Sequence, residues 1–412
     1  MKYAIIIPDG CADDPQQVFE GKTPLQAADI PFMDRIARMG VVGLSNNVPE
    51  SLIPASDVAT LSLFGYDPLK VYTGRAPLET AAMGIELGPD DWAIRCNLVT
   101  IEDDHMRDFT AGHISSEEGK ELIELLQEKL GGPIEHEGKK GVLEFHPGVS
   151  YRNILVFRGE GETPFSTETT TQAPHDVPDQ PIAPHMPKGP GSRLLIDLMK
   201  KSHELFAEAE PNNKRRERGE SPASQVWLWG QGSAPQLESF QTVYDKVGAI
   251  ISGVDLVRGV GALIGWKRID VPGATGYLDT DYVAKGKYAV DALPNYDLVC
   301  VHVEAPDEAS HEGLPDAKVA ALEEIDRHIV GPLLTALSQY PEWRILVSPD
   351  HRTTLSTRAH AHGAVPFTAC GTEIVTKGQV SYDEVVAKAS GMLFERGHEL
   401  MRWFLGSGEE ES

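Results

Sequence analysis

Short apolar runs that stop at acidic or imidazole side chains recur along this chain. Three of them, at residues 3–7, 298–303 and 344–348, have the length and turn-forming boundaries of buried strands. Ligands of open α/β sheets bind beyond the carboxyl ends of the strands, so we expect the polar residues that follow to meet in one crevice. These residues are Asp9, Asp307, His311, Asp350, His351 and His360.

The hydrophobic pattern between these runs predicts alternating strands and helices at both ends of the chain. The predicted helices cover residues 31–40, 56–65, 255–266, 281–293 and 316–337, and further strands cover 40–44, 226–229 and 248–252. The middle differs, with strands at 92–100 and 151–157, helices at 115–130 and 193–208, a proline-rich loop at 164–190 and a charged connector at 211–219.

This organisation predicts an α/β protein with two domains. The core, a mainly parallel sheet flanked by helices, is expected from residues 1–78 and 223–412. A smaller α+β domain, residues 79–222, is inserted between these segments. Strands that alternate with helices favour a parallel sheet, whereas the middle of the chain lacks that alternation.

Composition and charge narrow the range of functions. The net charge of −25 over 412 residues argues against nucleic acid or an anionic membrane as a partner, because both attract positive surfaces. No apolar run approaches the ~20 residues that span a bilayer, and the first residues lack a secretory signal, so we expect a cytoplasmic protein. The four cysteines are scattered, which argues against a disulfide framework. Because the chain is strongly acidic, binding of an anionic substrate would require metal ions or arginines close to the binding site.

The residue types at the strand ends point to metal chemistry. Asp307 and His311 are four apart and would share one side of a helical turn. Carboxylates mixed with imidazoles suit Mn²⁺, Zn²⁺ or Co²⁺ better than Ca²⁺, although each residue alone is equally compatible with a surface acid or a hydrogen-bonded histidine. Ser56 begins a predicted helix, where a serine usually serves as the N-cap. Beside a divalent cation its hydroxyl could instead ionise and attack phosphorus.

Several ordered motifs carry a family resemblance over nearly the whole chain. With Asp9-Gly10, Pro54–Ala59, Thr73–Glu79, His302–His311, Ser348–His351 and a histidine six residues before Pro366, the sequence resembles the cofactor-independent phosphoglycerate mutases. It is closest to their archaeal-type branch, within the alkaline phosphatase superfamily. The resemblance implies an alkaline-phosphatase-like core and interconversion of 3-phosphoglycerate and 2-phosphoglycerate through a phosphoserine.

The resemblance also implies a two-metal site with Ser56 as the catalytic phosphoryl acceptor. One ion would be held by Asp9, Ser56, Asp350 and His351, and the other by Asp307, His311 and His360. His362 is the alternative to His360. We expect two divalent ions, Mn²⁺ first and Zn²⁺, Co²⁺ or Mg²⁺ as alternatives. Neither a nucleotide nor 2,3-bisphosphoglycerate would be needed.

The substrate would be a small phosphorylated hydroxy acid, whose phosphate and carboxylate are best recognised by forked cations. The resemblance implies that the inserted domain closes over it. Asp108 and Asp176 are candidates for proton transfer to the glycerate hydroxyls, although any of these residues alone could be a solvated surface charge. The candidate substrate-binding residues are Arg75, Arg95, Asp108, His113, Arg152, His175, Asp176 and Arg216.

Three different functions stay open beside this one. Bacterial proteins that resemble this one in the runs 302–311 and 227–232 have been proposed to be homoserine kinases, although this chain has no GxxxxGK[ST] loop. The glycine-rich stretch 257–265 has GxGxxxG spacing inside a predicted helix, which favours close packing over nucleotide binding. Plain hydrolysis of phosphate esters is the second function, and a non-enzymatic interaction module is the third. The oligomeric state is not predicted.

Overall fold

The computed structural model describes residues 1–406. By contacts within the chain, they divide into two compact units. Unit 1 contains Met1–Tyr72 and the chain from Leu237 onward, and unit 2 contains Thr73–Gln236. None of the helices described is both long enough and apolar enough to cross a bilayer.

The strands are numbered in chain order. They are β1 (Lys2–Pro8), β2 (Val41–Ser45), β3 (Trp92–Glu102), β4 (His105–Asp108), β5 (Gly132–His136), β6 (Lys139–Val149), β7 (Arg152–Gly159), β8 (Gln225–Ser233), β9 (Gly248–Ile251), β10 (Lys267–Arg268), β11 (Leu298–Val303), β12 (Trp343–Val347), β13 (Arg352–Thr354), β14 (Ala359–Ala361), β15 (Val365–Gly371) and β16 (Leu393–Phe394).

The α-helices are numbered in the same way. They are α1 (Pro24–Ala27), α2 (Pro31–Met39), α3 (Ser56–Leu63), α4 (Pro68–Val71), α5 (Arg75–Ala82), α6 (Ser116–Leu130), α7 (Ser192–Ala207), α8 (Glu210–Glu217), α9 (Phe240–Tyr244), α10 (Asp255–Leu263), α11 (Tyr282–Ala292), α12 (Ala305–Glu312), α13 (Pro315–Ile325), α14 (Gly331–Leu337), α15 (Glu384–Ala389) and α16 (Glu399–Leu405). Short 3₁₀ turns cover Gln17–Phe19, Pro174–Asp176 and Ala183–His185, and a π-helical turn covers Asp326–Val330.

Unit 1 is built on an eight-stranded sheet in the order β10-β9-β11-β1-β12-β15-β2-β16. Its strands all run in one direction except β15, which is antiparallel to both of its neighbours. In the centre, Pro8 of β1 lies opposite Val303 of β11, and Ile6 lies opposite Val347 of β12. The residues that follow these three strands therefore emerge side by side at one edge of the sheet.

Apolar packing fixes that edge. Every residue of β11 is buried, as is every residue of β1 after Lys2, which is typical of a parallel sheet covered on both faces. One continuous core joins Ile6 and Val301 in the sheet to Ile36 of α2 and Ile329 of the π-helical turn. A separate two-stranded ribbon, β13 with β14, follows β12. This core holds the strand ends at fixed positions.

Unit 2 is an antiparallel α+β unit. Its six-stranded sheet has the order β4-β3-β7-β6-β5, and β8 also pairs with β3. Buried residues of β3 (Leu98), β7 (Phe157), α6 (Leu122) and α7 (Leu195) form its core. The parallel sheet flanked by helices and the separate α+β unit confirm the predicted fold class.

The structure differs from the sequence predictions in several places. The charged connector predicted at 211–219 is helix α8, because Pro211 suits the first helical turn and buried Asn212 bonds the carbonyls of Phe206 and Ala223. The single helix predicted at 316–337 contains the π-helical turn. The contact boundaries fall at Thr73 and Gln236, since β8 pairs with β3 of unit 2. The functional role of the two predicted domains stays a prediction.

A close contact between α11 and the π-helical turn in unit 1 gives a prediction about stability. A Cβ atom added at Gly286 of α11 would lie 1.9 Å from the carbonyl oxygen of His328 in the π-helical turn. Gly286→Ala should therefore lower the stability by about 1–3 kcal/mol through overpacking, although alanine is otherwise the better helix former by about 1 kcal/mol. Urea unfolding followed by circular dichroism measures the effect. Lys287→Ala, at the next and exposed position, is the control, and stabilisation by Gly286→Ala would contradict the packing argument.

Candidate active site

The first cluster of polar side chains lies beyond the ends of β1 and β12. Asp9 follows β1, and Asp350 and His351 follow β12; these three residues, here called the Asp350 group, are fully or almost fully buried. His351 Nε2 lies 3.5 Å from Asp9 Oδ1 and 3.4 Å from Asp350 Oδ2. The parallel pairing of β1 with β12 brings together residues that are about 340 positions apart in the chain.

Ser56 lies against this group. It is the first residue of α3, and the N-cap position is taken by Ala55, which has an extended backbone. The Ser56 hydroxyl is therefore not used as a helix cap, and its Oγ lies 3.1 Å from His351 Nε2. The side chain is 9% exposed, so the hydroxyl sits at the margin of the buried group and not deep within it.

A second cluster, here called the Asp307 group, contains Asp307, His311 and His360. Asp307 and His311 lie one turn apart on α12, and His360 is on β14. His311 Nε2 lies 3.1 Å from both Asp307 Oδ2 and His360 Nε2, and His360 Nε2 lies 3.5 Å from Asp307 Oδ1. The ring centres of His351 and His360 are 4.3 Å apart, so the two groups adjoin. His362 is exposed and takes no part in either cluster.

Backbone carbonyls orient two of these imidazoles. His311 Nδ1 donates to the carbonyl of Arg358 at 2.9 Å, and His360 Nδ1 donates to the carbonyl of Pro54 at 3.1 Å. Because a carbonyl oxygen can only accept, each Nδ1 must carry the hydrogen. Both Nε2 atoms are consequently directed at Asp307, as in histidines whose outer nitrogen is held by a second partner.

Charge is concentrated in both groups. Burial, together with Asp350 and Glu304, raises the pKa of Asp9. Hydrogen bonding to Asp307 raises the pKa of His311 to about 9. Burial acts to raise the pKa of Asp307, but His311 and His360 outweigh it and bring that pKa well below its usual range. Asp307 thus favours a positive charge on His311, and burial disfavours a negative charge on Asp9.

The arrangement fits divalent cations. Asp9 Oδ1 and Asp350 Oδ2 are buried atoms that have no hydrogen-bond partner among the described residues, which is costly unless a cation contacts them. Ligand atoms of Asp9, Asp350 and His351 lie within 4.8 Å of one another, and so do those of Asp307, His351 and His360. Mixed carboxylate and imidazole donors suit borderline divalent ions.

Two further residues at this edge, His302 and Glu304, had no role predicted from the sequence. His302, the fifth residue of β11, forms a hydrogen bond with Asp9 Oδ2 at 2.7 Å, and its other ring nitrogen lies 3.1 Å from Ser252 Oγ. Burial lowers the pKa of His302 to about 3, so the ring is neutral. Burial raises the pKa of Glu304, just beyond β11, to about 8. The sequence did contain a signal for His302, since this histidine is the one polar residue in a strand that is otherwise apolar.

Gly10 is required by the close approach of these elements. It has a φ of +58°, and a Cβ atom there would lie 2.4 Å from Asp307 Oδ1 and 2.5 Å from Thr353 Oγ1. Glycine alone combines this left-handed conformation with the absence of a side chain. The chain can therefore turn directly after Asp9 without displacing Asp307.

Unit 2 contains a separate cluster of cations. Arg75 and Arg95 both pair with Glu79, at 3.1 Å and 2.8 Å, and the Arg95 guanidinium lies 4.0 Å from the ring centre of Trp229. Burial and the charges of Arg75 and Arg152 lower the pKa of Arg95 to about 10. Three arginines thus lie near one another, with Glu79 the carboxylate that pairs with two of them.

His175 belongs to the same cluster, because its ring centre is 5.2 Å from that of Trp229. Burial lowers the pKa of His175, and Arg95 and Arg75 lower it further while Asp176 opposes them. Arg75, Arg95, Arg152 and His175, four of the predicted substrate-binding residues, are therefore neighbours. They are called the Trp229 cluster below.

The other predicted substrate-binding residues make local contacts. Asp108 accepts hydrogen bonds from the backbone of Thr110 and Gly112, which together with the Thr110 hydroxyl lower its pKa, although burial opposes them. His113 lies in the same turn, and Asp176 accepts from Gln172. Arg216 donates to Asn213 and to the Ala207 carbonyl. Substrate binding by these four, Asp108, His113, Asp176 and Arg216, stays a prediction.

Comparisons with known proteins agree on one family. A family model described as 2,3-bisphosphoglycerate-independent phosphoglycerate mutase matches residues 37–212. The protein of that name from Methanothrix thermoacetophila is 44% identical, over 98% of this chain and 99% of its own. The protein named 2,3-bisphosphoglycerate-independent phosphoglycerate mutase 2 from Methanothermobacter thermautotrophicus is 46% identical, over 97% of this chain and 96% of its own.

Solved structures share the fold. A protein from Pyrococcus horikoshii superposes with a TM-score of 0.80 at 26% identity, over 100% of this chain and 99% of that one. A cofactor-independent phosphoglycerate mutase from Thermoplasma acidophilum superposes with a TM-score of 0.67 at 23% identity, over 99% of this chain and 100% of that one. Given identities of 44% and 46% to relatives matched over nearly their full length, this chain belongs to the family of 2,3-bisphosphoglycerate-independent phosphoglycerate mutases.

Proposed function

We propose that this protein is a metal-dependent phosphoglycerate mutase that interconverts 3-phosphoglycerate and 2-phosphoglycerate through a phosphoserine on Ser56. The observation that carries the proposal is the position of the Ser56 hydroxyl. It lies 3.1 Å from His351 Nε2, beside the buried carboxylates of Asp9 and Asp350, and it is free of the capping role that a serine at a helix start usually has.

Two divalent ions complete the proposed site. The Asp350 group with Ser56 would hold one ion, and the Asp307 group would hold the other; Mn²⁺ is the ion we expect first. When bound, such ions lower the pKa of a hydroxyl and offset the charge of a phosphoryl group. The support is the pair of unpartnered carboxylate oxygens on Asp9 and Asp350, together with the imidazoles directed at Asp307.

The reaction divides into two transfers of the phosphoryl group. In the first, the Ser56 hydroxyl loses its proton and Oγ forms a bond to phosphorus, while the ester bond to the C3 oxygen of the glycerate breaks and that oxygen takes up a proton. In the second, the C2 hydroxyl loses its proton and attacks the phosphorus, while the bond between phosphorus and Ser56 Oγ breaks and Oγ takes up a proton. Water must be kept out between the two transfers, or the phosphoserine is hydrolysed.

The Trp229 cluster is our candidate for binding the anionic substrate groups. Arg75, Arg95, Arg152 and His175 concentrate positive charge in a chain whose net charge is −25. Arginine forks match carboxylate and phosphate oxygens. His175 with Asp176 is a better candidate for proton transfer than Asp108, because the Asp108 carboxylate accepts hydrogen bonds from its own turn and has a lowered pKa.

The competing functions predict different products. A homoserine kinase would need to bind a nucleotide, and two glycines of the stretch that could suggest this, Gly259 and Gly261, are buried within helix α10. A Cβ atom at Gly261 would lie 3.0 Å from the Ile250 side chain, so Gly261 serves packing. Purified protein incubated with 3-phosphoglycerate, and separately with homoserine and ATP, distinguishes the mutase from the kinase. Release of inorganic phosphate without 2-phosphoglycerate would identify a phosphatase.

Replacement of the acceptor tests the proposal directly. Ser56→Ala should lower mutase activity by roughly 10⁴-fold or more, because an enzyme without its nucleophile keeps little rate enhancement beyond that from substrate binding. Quenched wild-type reactions should yield a phosphorylated peptide that contains Ser56, detectable by mass spectrometry. Ser62→Ala, which removes another buried hydroxyl from α3, is the control and should stay active. A fully active Ser56→Ala variant would exclude this mechanism.

Metal content provides a second test. Elemental analysis should find two divalent ions per chain after loading with Mn²⁺, and chelation should abolish activity until Mn²⁺ is restored. Asp350→Asn and Asp307→Asn should each lose affinity for one ion, whereas Asp316→Asn, at an exposed position on α13, should keep both. Unchanged activity after complete chelation would contradict the proposal.

The cationic cluster provides a third test. Arg95→Lys keeps the charge but loses the forked geometry, so KM for 3-phosphoglycerate should rise on the order of 10- to 100-fold, the effect of losing a charged hydrogen bond. Steady-state kinetics measure this, and melting curves check folding. Arg193→Gln, an exposed arginine of unit 2, is the matched control. An unchanged KM in a folded Arg95→Lys variant would remove Arg95 from the binding site.

A further inference from the structure

The histidines of the two groups have two kinds of partner at Nδ1, a backbone carbonyl or a hydroxyl. His311 and His360 donate from Nδ1 to backbone carbonyls, which fixes their tautomers. His351 Nδ1 instead faces the hydroxyl of Thr353, at 3.2 Å. A hydroxyl can both donate and accept, so this contact alone leaves the tautomer of His351 open.

A second contact of the same hydroxyl removes the ambiguity. Thr353 Oγ1 also forms a hydrogen bond to Asp307 Oδ1. A carboxylate oxygen can only accept, and it is a stronger acceptor than a neutral imidazole nitrogen. The single hydrogen of the Thr353 hydroxyl is therefore committed to Asp307. The oxygen can then only accept from His351, whose Nδ1 must carry a hydrogen.

We propose that Thr353 is a positioning residue whose hydroxyl holds His351 as the Nδ1–H tautomer and connects the Asp350 group to the Asp307 group. The hydrogen bonds run from His351 Nδ1 to Thr353 Oγ1 and on to Asp307 Oδ1. His351 Nε2, which faces Asp9, Asp350 and Ser56, is thereby left with its lone pair for an ion. This inference rests on the proposed function, because it concerns ligands of the proposed ions.

The surroundings keep the hydroxyl in place. The Thr353 side chain is fully buried, and its carbonyl accepts a hydrogen bond from Lys318 Nζ at 2.8 Å. Lys318 in turn pairs with Asp13 at 3.0 Å, and both of these side chains are fully buried. The backbone of β13 is thus fixed beneath the site. Close to Thr353 Oγ1, Gly10 has no side chain, which leaves room for the hydroxyl between the two groups.

The neighbouring threonine provides a matched control. Thr354 is also buried and lies next to Thr353 on β13, but its hydroxyl bonds Thr357 Oγ1 at 2.6 Å. Successive side chains on a strand point to opposite sides. Thr354→Val therefore removes a buried hydroxyl from the same strand without removing a contact of Asp307 or His351.

Calorimetric titration of metal-free protein with Mn²⁺ tests the inference. Thr353→Val keeps the side-chain shape but removes the hydroxyl, so affinity for Mn²⁺ should fall about 10- to 100-fold, as is typical when a partner of a metal ligand is lost. Thr353→Ser should restore wild-type affinity, and Thr354→Val should retain it. Equal Mn²⁺ affinity in Thr353→Val and wild type would overturn the inference. A wild type that binds no Mn²⁺ would instead overturn the proposed function.

A measurement on the wild type keeps the inference testable if Thr353→Val fails to fold. Two-bond ¹⁵N–¹H spectra of histidine-labelled, metal-free protein distinguish the two imidazole tautomers. The His351 signals can be assigned by their loss in His351→Asn. We expect His351 as the Nδ1–H tautomer, and the Nε2–H tautomer would overturn the inference. Because this spectrum needs no metal, its result is independent of whether the protein proves to be a mutase.

Discussion

The site of this protein is governed by the cost of burying several carboxylates together. Asp9, Asp307 and Asp350 are at most 3% exposed and lie within one cluster, where each negative charge opposes the next. Desolvation of such groups costs several kcal/mol per ion unless opposite charge or hydrogen bonds compensate. Imidazoles supply part of this compensation, and Asp9 Oδ1, Asp350 Oδ2 and Glu304 Oε2 have no hydrogen-bond partner among the described residues. The rest of the architecture keeps these groups from moving apart.

That architecture is the sheet of unit 1. Three parallel strands, β11, β1 and β12, are neighbours in this sheet, so the segments that follow them begin side by side. Helices cover the apolar faces of the sheet. Loops on such a scaffold can carry charged residues that a strand could not tolerate. The fold thus provides the rigidity, and the residues in the segments beyond the strand ends provide the chemistry.

Much of this arrangement could be predicted from the sequence, because buried parallel strands appear as short apolar runs and their polar endings are conspicuous. The four-residue spacing of Asp307 and His311 also predicted their shared face on a helix. Thr353 gave no such signal, since a threonine two residues after a histidine is ordinary and its role depends on distant Asp307. Strands β5 and β6 were not predicted because they contain glycine and proline, which are typical of turns and loops. Helix α8 resembled a connector because its polar residues obscure the buried Asn212 and Arg215.

The ribbon of β13 and β14 has a consequence for how the site assembles. It begins directly after Asp350 and His351, carries Thr353 on one strand and His360 on the other, and its connecting turn supplies the carbonyl that holds His311. A single short element thus touches every imidazole of both groups. Order in this ribbon would be a shared requirement of the two proposed ion positions, so we expect loading of one to promote loading of the other, as positive cooperativity.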